Sequence, residues 1–272
     1  MKVAISNIAW DSKQEEPVVK FLKSENITAL EIAPGKICQD VNKVHKKVLE
    51  DYLSYWKNKG FDLISLQSLL FGYSGLKLFG TEKERDEMLV HLKIIVDVAK
   101  YLKIKNLVFG SPKNRIRGIL SNQEAEKIAL SFFTKLGDYA RKRKVFIAIE
   151  HNPKEYGSDF ICDLNEALDF VNKLNHSAVG INVDTGGMLF SGTNPSFLEK
   201  CKEKIFHFHI SEKYLDKIDS ENKDFHKLCA YYLKKINYSN WISIEMKQTS
   251  ADPKQNLDNI VSSVKFVKSV YY

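Results

Sequence analysis

Four residues of this sequence have types and positions from which chemistry would be expected: Glu150, Asp184, His209 and Glu245. Each ends a short, otherwise largely apolar run. Ile147-Ala148-Ile149 leads into Glu150, and Val179-Gly180-Ile181-Asn182-Val183 into Asp184. Ile205-Phe206-His207-Phe208 leads into His209, and Trp241-Ile242-Ser243-Ile244 into Glu245. Taken singly, each has an ordinary reading. Glu150 can cap a helix or pair with a neighbouring cation, and Asp184 can accept from the Thr185-Gly186 amides. His209 can be a hydrogen-bonded core histidine, and Glu245 can pair with Lys247. Their equivalence along four consecutive runs points to a shared role. A carboxylate buried without a partner is costly, and three at one level repel one another; a divalent cation resolves both conflicts. Three carboxylates and one imidazole form a hard, oxygen-rich set that suits Mn2+, Mg2+ or Co2+ better than a closed structural zinc site. Mn2+ is the expected ion, with Mg2+, Co2+ and Zn2+ as alternatives. Four protein ligands leave about two positions of an octahedral ion open. A substrate carbonyl and its adjacent hydroxyl can fill them, and the ion then acts as a Lewis acid while the neighbouring carbon loses a proton.

Such a convergence requires elements that end at one level. The chain supplies eight short apolar runs: Val3–Ser6, Ala29–Ala33, Phe61–Leu66, Asn106–Phe109, Val145–Ile149, Val179–Val183, Ile205–Ile210 and Trp241–Ile244. Between them lie amphipathic stretches such as Met88-Leu89-Leu92-Ile95-Val96-Ala99 and Ala125-Ile128-Ala129-Phe132-Phe133-Leu136, apolar at three- and four-residue steps. Ser121 with Glu124, and Asp163 with Glu166, have the spacing of helix-start capping pairs. Strands alternating with helices imply a parallel sheet, and eight units in 272 residues imply one α/β domain over 1–272, a (β/α)8 TIM barrel. An open doubly wound sheet usually carries a Gly-rich loop after its first strand, and Ser6-Asn7-Ile8-Ala9-Trp10-Asp11 has no glycine. In a barrel, function sits at the C-terminal ends of the strands.

Other residues fall at that level. His207 is two residues from His209 and on the same side of its strand; it reads as a polar interior residue below the site, with direct substrate contact as the alternative. Lys113, Arg115 and Arg117 follow the fourth strand, where an anion-binding role and simple solvation are both open. Trp10, Gln67, Lys113, Arg115 and Tyr156 are candidates for lining a substrate pocket. Gly186-Gly187 reads as a tight turn. His45, His91, His151, His176 and His226 show no ligand spacing and read as surface or packing residues.

Composition excludes several classes. With 44% hydrophobic and 28% charged residues, the chain is neither disordered nor fibrous. No run approaches the roughly 20 apolar residues of a membrane span, and the N-terminus lacks the pattern of a signal peptide. Cys38, Cys162, Cys201 and Cys229 lie far apart, so free thiols in a reducing compartment are expected, and a cytoplasmic location with them. The net charge is +7, but the lysines are scattered, and Arg141-Lys142-Arg143-Lys144 reads as a helix end. Neither nucleic acid nor a membrane is an expected partner.

The motifs Ile149-Glu150, Val183-Asp184-Thr185-Gly186, His207-Phe208-His209-Ile210-Ser211-Glu212 and Ile244-Glu245-Met246 resemble those of the xylose isomerase-like TIM-barrel superfamily. The resemblance extends along the whole chain, and the layout is most similar to that of ketose 3-epimerases such as D-tagatose 3-epimerase. It implies that Glu150, Asp184, His209 and Glu245 are metal ligands and that Glu150 and Glu245 also form an acid/base pair. Return of the proton on the opposite face would epimerise; return to the neighbouring carbon would isomerise. The implied activity is a metal-dependent sugar or sugar phosphate isomerase or epimerase working through an enediolate. A dehydratase of a sugar or cyclitol derivative, or a non-catalytic sugar-binding barrel, would use the same site. A homodimer or homotetramer is also implied. Three ketose-contact positions depart from the pattern: Gly187 replaces a histidine, Leu215 an arginine and Tyr156 a glutamate. Too few histidines are present for the three-metal cluster of the DNA-repair branch.

Overall fold

The eight apolar runs form a closed ring of parallel strands in the computed structural model, which describes residues 1–272. In chain order they are β1 (Lys2–Ser6), β2 (Ala29–Ile32), β3 (Asp62–Leu66), β4 (Asn106–Phe109), β5 (Phe146–Glu150), β6 (Val179–Asp184), β7 (Ile205–Ile210) and β8 (Trp241–Ile244). β8 returns to β1 through the pairs Val3–Ile242 and Ile5–Ile244, so no strand is left as an edge. The fold is a TIM barrel, with strand limits within one residue of those expected.

The outer layer contains α1 (Glu15–Ser24), α2 (Lys46–Asn58), α3 (Glu82–Tyr101), α4 (Asn122–Arg141), α5 (Leu164–Leu174), α6 (Thr185–Ser191), α7 (Leu198–Cys201), α8 (Lys223–Lys235) and α9 (Pro253–Tyr271). Ser121 and Glu124 start α4 as a reciprocal capping box, and Thr81 and Glu84 start α3 in the same way. At α5 only half of the expected pair forms. Asp163 accepts from the Glu166 N–H, but the Glu166 carboxylate turns to the Cys162 N–H instead. The glycines expected to make a tight turn lie in the first turn of α6, with Asp184 as its N-cap. α4 ends at Arg141, and Arg143 lies over the Tyr139 ring and pairs with Asp97, so this basic run closes a helix.

Apolar packing lies between the strands and the helices. The Phe133 ring of α4 is centred 5.0 Å from Phe109 on β4 and 5.7 Å from Phe170 on α5. The barrel interior is different: Glu31, Ser65, Asn182, His207, His209 and Ser243 are all fully buried there. Two register shifts align these residues. The β6–β7 pairing starts at Ile181–Ile205, and continued unchanged it would set Asp184 beside Phe208; the shift after Ile181 sets it beside His209. The β2–β3 pairing likewise shifts after Leu30, which brings Ser65 beside Glu31.

No helix is long and apolar enough to cross a membrane, and all four cysteines are free. Phe133→Ala is expected to lower the stability to urea unfolding by about 3–5 kcal/mol, because its contacts bridge β4, α4 and α5. A loss below about 1 kcal/mol would contradict that packing.

Candidate active site

The strand ends deliver the four candidate residues to one point. Glu150 and Asp184 are the last residues of β5 and β6, and His209 lies one residue before the end of β7. Glu245 follows β8, and its N–H donates to the Ile210 carbonyl at 2.9 Å, which extends the ladder past the assigned strand. One potential ligand atom from each of the four lies within 4.8 Å of the others. His209 Nδ1 is 3.1 Å from Glu150 Oε1 and 3.0 Å from Glu245 Oε2. That nitrogen is buried and has no hydrogen-bond partner. A buried imidazole nitrogen orphaned between carboxylates suits a divalent cation, and the donor set is the oxygen-rich one such an ion takes.

Neighbouring groups hold each carboxylate. Asn182 Nδ2 donates to Glu150 Oε1 at 2.7 Å, and Asn152 Nδ2 to Oε2 at 3.0 Å. Any Cβ at position 110 would collide with Glu150 Oε2, so Gly110, just after β4, leaves room for the carboxylate. Asp184 Oδ1 accepts from the Gly187 N–H at 2.6 Å, and Oδ2 accepts from the Ser211 hydroxyl. Asp184 therefore caps α6, though through Gly187 rather than through Thr185 and Gly186. No ion pair joins Lys247 to Glu245, and both side chains line the cavity above the site.

Burial and mutual charge set the protonation of the cluster. Burial, then the charges of Glu150 and Glu245, push Asp184 up to about 8 despite His209 and Ser211. Burial also raises Glu245, against the pull of His209. Glu150 stays below its usual range although burial opposes this, because the adjacent His209 and the Asn152 amide favour its ionised form. His209 is held well above its usual value against its burial, chiefly by the charges of Glu245 and Glu31.

The cavity has a volume of about 370 Å3. Glu150, Asp184 and Glu245 line it, as do two of the expected pocket residues, Gln67 and Tyr156. The others do not line it. Arg115 is buried and donates from Nη2 to the Glu150 carbonyl at 2.7 Å, bracing the Glu150 backbone rather than facing the cavity. Lys113 is exposed, because Asn114 and Arg115 anchor its short turn and direct it outward. Trp10 is buried in the core. His207 is fully buried below the site, its Nε2 is 2.9 Å from Glu31 Oε2, and it does not line the cavity.

Sequence reasoning missed several neighbours. Asn152, His151, Tyr214 and Lys247 line the cavity, and Asn182 and Glu31 support it from below. Glu31 carried a readable signal, a carboxylate inside the apolar run Ala29-Leu30-Glu31-Ile32. His151 is not a surface residue. It is buried, neither ring nitrogen has a partner, and burial pulls its pKa down to about 4. A Cβ at Gly187 would lie 2.7 Å from His151 Nε2, so this ring fills the space beside the missing side chain.

Residues 19–270 match the family described as xylose isomerase-like TIM barrel, and the chain belongs to that family. No curated protein matches the sequence. Solved structures share the fold at low identity. A 3-keto-D-glucoside 4-epimerase from E. coli, YcjR in its apo form, is 19% identical with a TM-score of 0.77, covering 96% of this chain and 97% of that one. A D-psicose 3-epimerase from Clostridium cellulolyticum H10, solved with D-tagatose, is 13% identical with a TM-score of 0.82, covering 100% and 99%. The IOLI protein with a bound zinc atom is 19% identical with a TM-score of 0.73, covering 99% of both chains.

A proton on Asp184 must leave before that carboxylate can ligate an ion. Divalent-metal affinity is therefore expected to rise with pH up to about 8. Calorimetric titration in buffers of different ionisation enthalpy should show proton release on binding. Affinity unchanged between about pH 6 and pH 8, with no proton released, would contradict the assigned protonation.

Proposed function

We propose that the protein is a metal-dependent isomerase or epimerase of a sugar or sugar-derived substrate. The observation that carries this reading is the unpartnered His209 Nδ1, which lies 3.1 and 3.0 Å from Glu150 and Glu245, with Asp184 completing the group. Glu150, Asp184, His209 and Glu245 would hold the ion; Mn2+ fits the donor set best, and the zinc of the structurally similar IOLI protein keeps Zn2+ as an alternative. When bound, the ion supplies Lewis acidity toward a carbonyl oxygen and its adjacent hydroxyl.

The chain's own residues would do the rest. Glu150 on β5 and Glu245 after β8 approach His209 from separate strands, so two carboxylates can address the carbon beside the carbonyl. One removes the proton, leaving an enediolate, and the other returns a proton on the opposite face. Glu245, raised by burial, is suited to hold a proton for return; Glu150, held low by His209 and Asn152, is suited to accept one. Asn152 and Asn182 fix the Glu150 carboxylate, and Arg115 fixes its backbone.

The cavity wall favours a substrate other than a free ketose. Leu215 and Tyr156 stand in it where ketose 3-epimerases place an arginine and a glutamate, and His151 fills the space beside Gly187. A small sugar-derived molecule is the proposed partner, and the four free thiols fit a reducing, cytoplasmic setting.

Metal-loaded wild type is expected to bind about one divalent ion per chain and to incorporate deuterium from D2O beside the carbonyl of its substrate, the product otherwise keeping the substrate's elemental composition. Asp184→Asn should lose the ion. Glu245→Gln should stay folded by circular dichroism and lower turnover by about 10²–10⁴-fold. Product lighter by one water would indicate a dehydratase instead. Metal binding without isotope exchange on any sugar of a broad panel would favour the non-catalytic reading.

A further inference from the structure

Below the four candidate ligands lies a further carboxylate, the fourth of the cluster, that faces no cavity. Glu31 of β2 is fully buried. The Ser65 hydroxyl of β3 donates to Oε2 at 2.6 Å, and the Ser243 hydroxyl of β8 to Oε1 at 3.3 Å. From β7, His207 Nε2 lies 2.9 Å from Oε2, and His209 Nε2 lies 3.0 Å from Oε1. No lysine or arginine pairs with this carboxylate. Four hydrogen-bond donors from three other strands therefore saturate it, which is the environment of a buried acceptor rather than of a second ion. Two of these neighbours are within reach only through register: Ser65 by the shift after Leu30, and His209 by its pairing with Ser243.

The opposite edge of the His209 ring faces the site. An imidazole is two-ended: a proton on Nε2 leaves a lone pair on Nδ1, and the reverse tautomer does not. We propose that Glu31 is a positioning residue that accepts the His209 Nε2–H, and thereby selects the tautomer and ring orientation presenting the Nδ1 lone pair to a divalent ion held with Glu150, Asp184 and Glu245. Ser65, Ser243 and His207 keep the Glu31 carboxylate in place for this task. The proposal rests on the metal-binding reading of the site. A neutral amide at position 31 would keep the shape, but would turn an NH2 group toward donors, with only one oxygen left to accept.

Two measurements on the full chain test this. Long-range 1H–15N correlation spectra of the Zn2+-loaded wild type should show His209 protonated on Nε2, with Nδ1 at a metal-coordinated shift. Titration with Zn2+ and Mn2+ should give Glu31→Gln an affinity about 10–100-fold below wild type, with the Nε2–H signal of His209 weakened or lost. A His209 protonated on Nδ1 in the Zn2+-loaded wild type would overturn the proposal, and that spectrum stands even if Glu31→Gln does not fold. Equal affinities in a folded Glu31→Gln would also overturn it while leaving the metal reading intact. A wild type that binds neither ion would overturn both.

Discussion

The imidazole of His209 is shared by carboxylates at both of its edges, and the polar interior of the barrel is arranged around that sharing. Nε2 lies against Glu31, while Nδ1 lies between Glu150 and Glu245. Four acidic groups, Asp184 included, are thereby gathered around one side chain, with Glu31, Asp184 and Glu245 buried and Glu150 partly so. Buried charge is tolerated only when it is paired and hydrogen-bonded. Here Glu31 and Glu150 meet that condition through donors, whereas Asp184 and Glu245 are driven toward their protonated forms by burial and by the charges of neighbouring carboxylates. The unequal treatment of the carboxylates is the electrostatic basis of the proposed chemistry, since acid and base roles need groups whose protonation differs.

Holding such a cluster requires a stiff frame. The closed sheet removes edges, and the apolar packing sits outside it, between strands and helices, where aromatic contacts such as Phe109–Phe133–Phe170 tie β4 to α4 and α5. The interior of the ring is thus left for polar side chains. Backbone is used economically at the same level: the strand end at Asp184 is also the N-cap of α6, and Ser211 accepts from the Gly186 N–H at 2.9 Å while donating to Asp184. A Cβ at Gly186 would lie 2.7 Å from Ser211 Oγ and from the Glu212 carbonyl, so this close approach of α6 to the loop after β7 requires glycine.

The rim of the cavity is aromatic and conformationally constrained. The Tyr214 N–H donates to the Tyr156 hydroxyl at 2.9 Å, and the Tyr156, Phe190 and Tyr214 rings meet edge to face. Tyr214 and the adjacent Leu215 have φ values of 60° and 54°, a conformation that costs non-glycine residues roughly 1–3 kcal/mol each. Surrounding bonds hold it, among them the Lys247 N–H to the Leu215 carbonyl at 2.9 Å. With His151 against Gly187, these residues shape the wall of the cavity above Glu150, Asp184 and Glu245.

Local pattern alone determined the strands, the starts of α4 and α5 and the level at which Glu150, Asp184, His209 and Glu245 would meet. Those signals are short-range: alternation of apolar runs with amphipathic stretches, capping pairs, and a charged residue ending each run. The fourth carboxylate, Glu31, was marked differently, by lying inside the apolar run Ala29–Ile32. What tertiary structure decided depends on side-chain direction and on register, and neither is local. Arg115 and Lys113 are two residues apart in one short turn, yet one is buried against the Glu150 carbonyl and the other is exposed, because the turn is anchored by contacts to distant backbone. His151 has no ligand spacing and enters the cavity wall only because position 187 lacks a side chain. Asp184 stands beside His209 rather than Phe208 through one register shift between β6 and β7. A one-residue slip exchanges which face of a strand looks inward, and only pairing with the neighbouring strand fixes it.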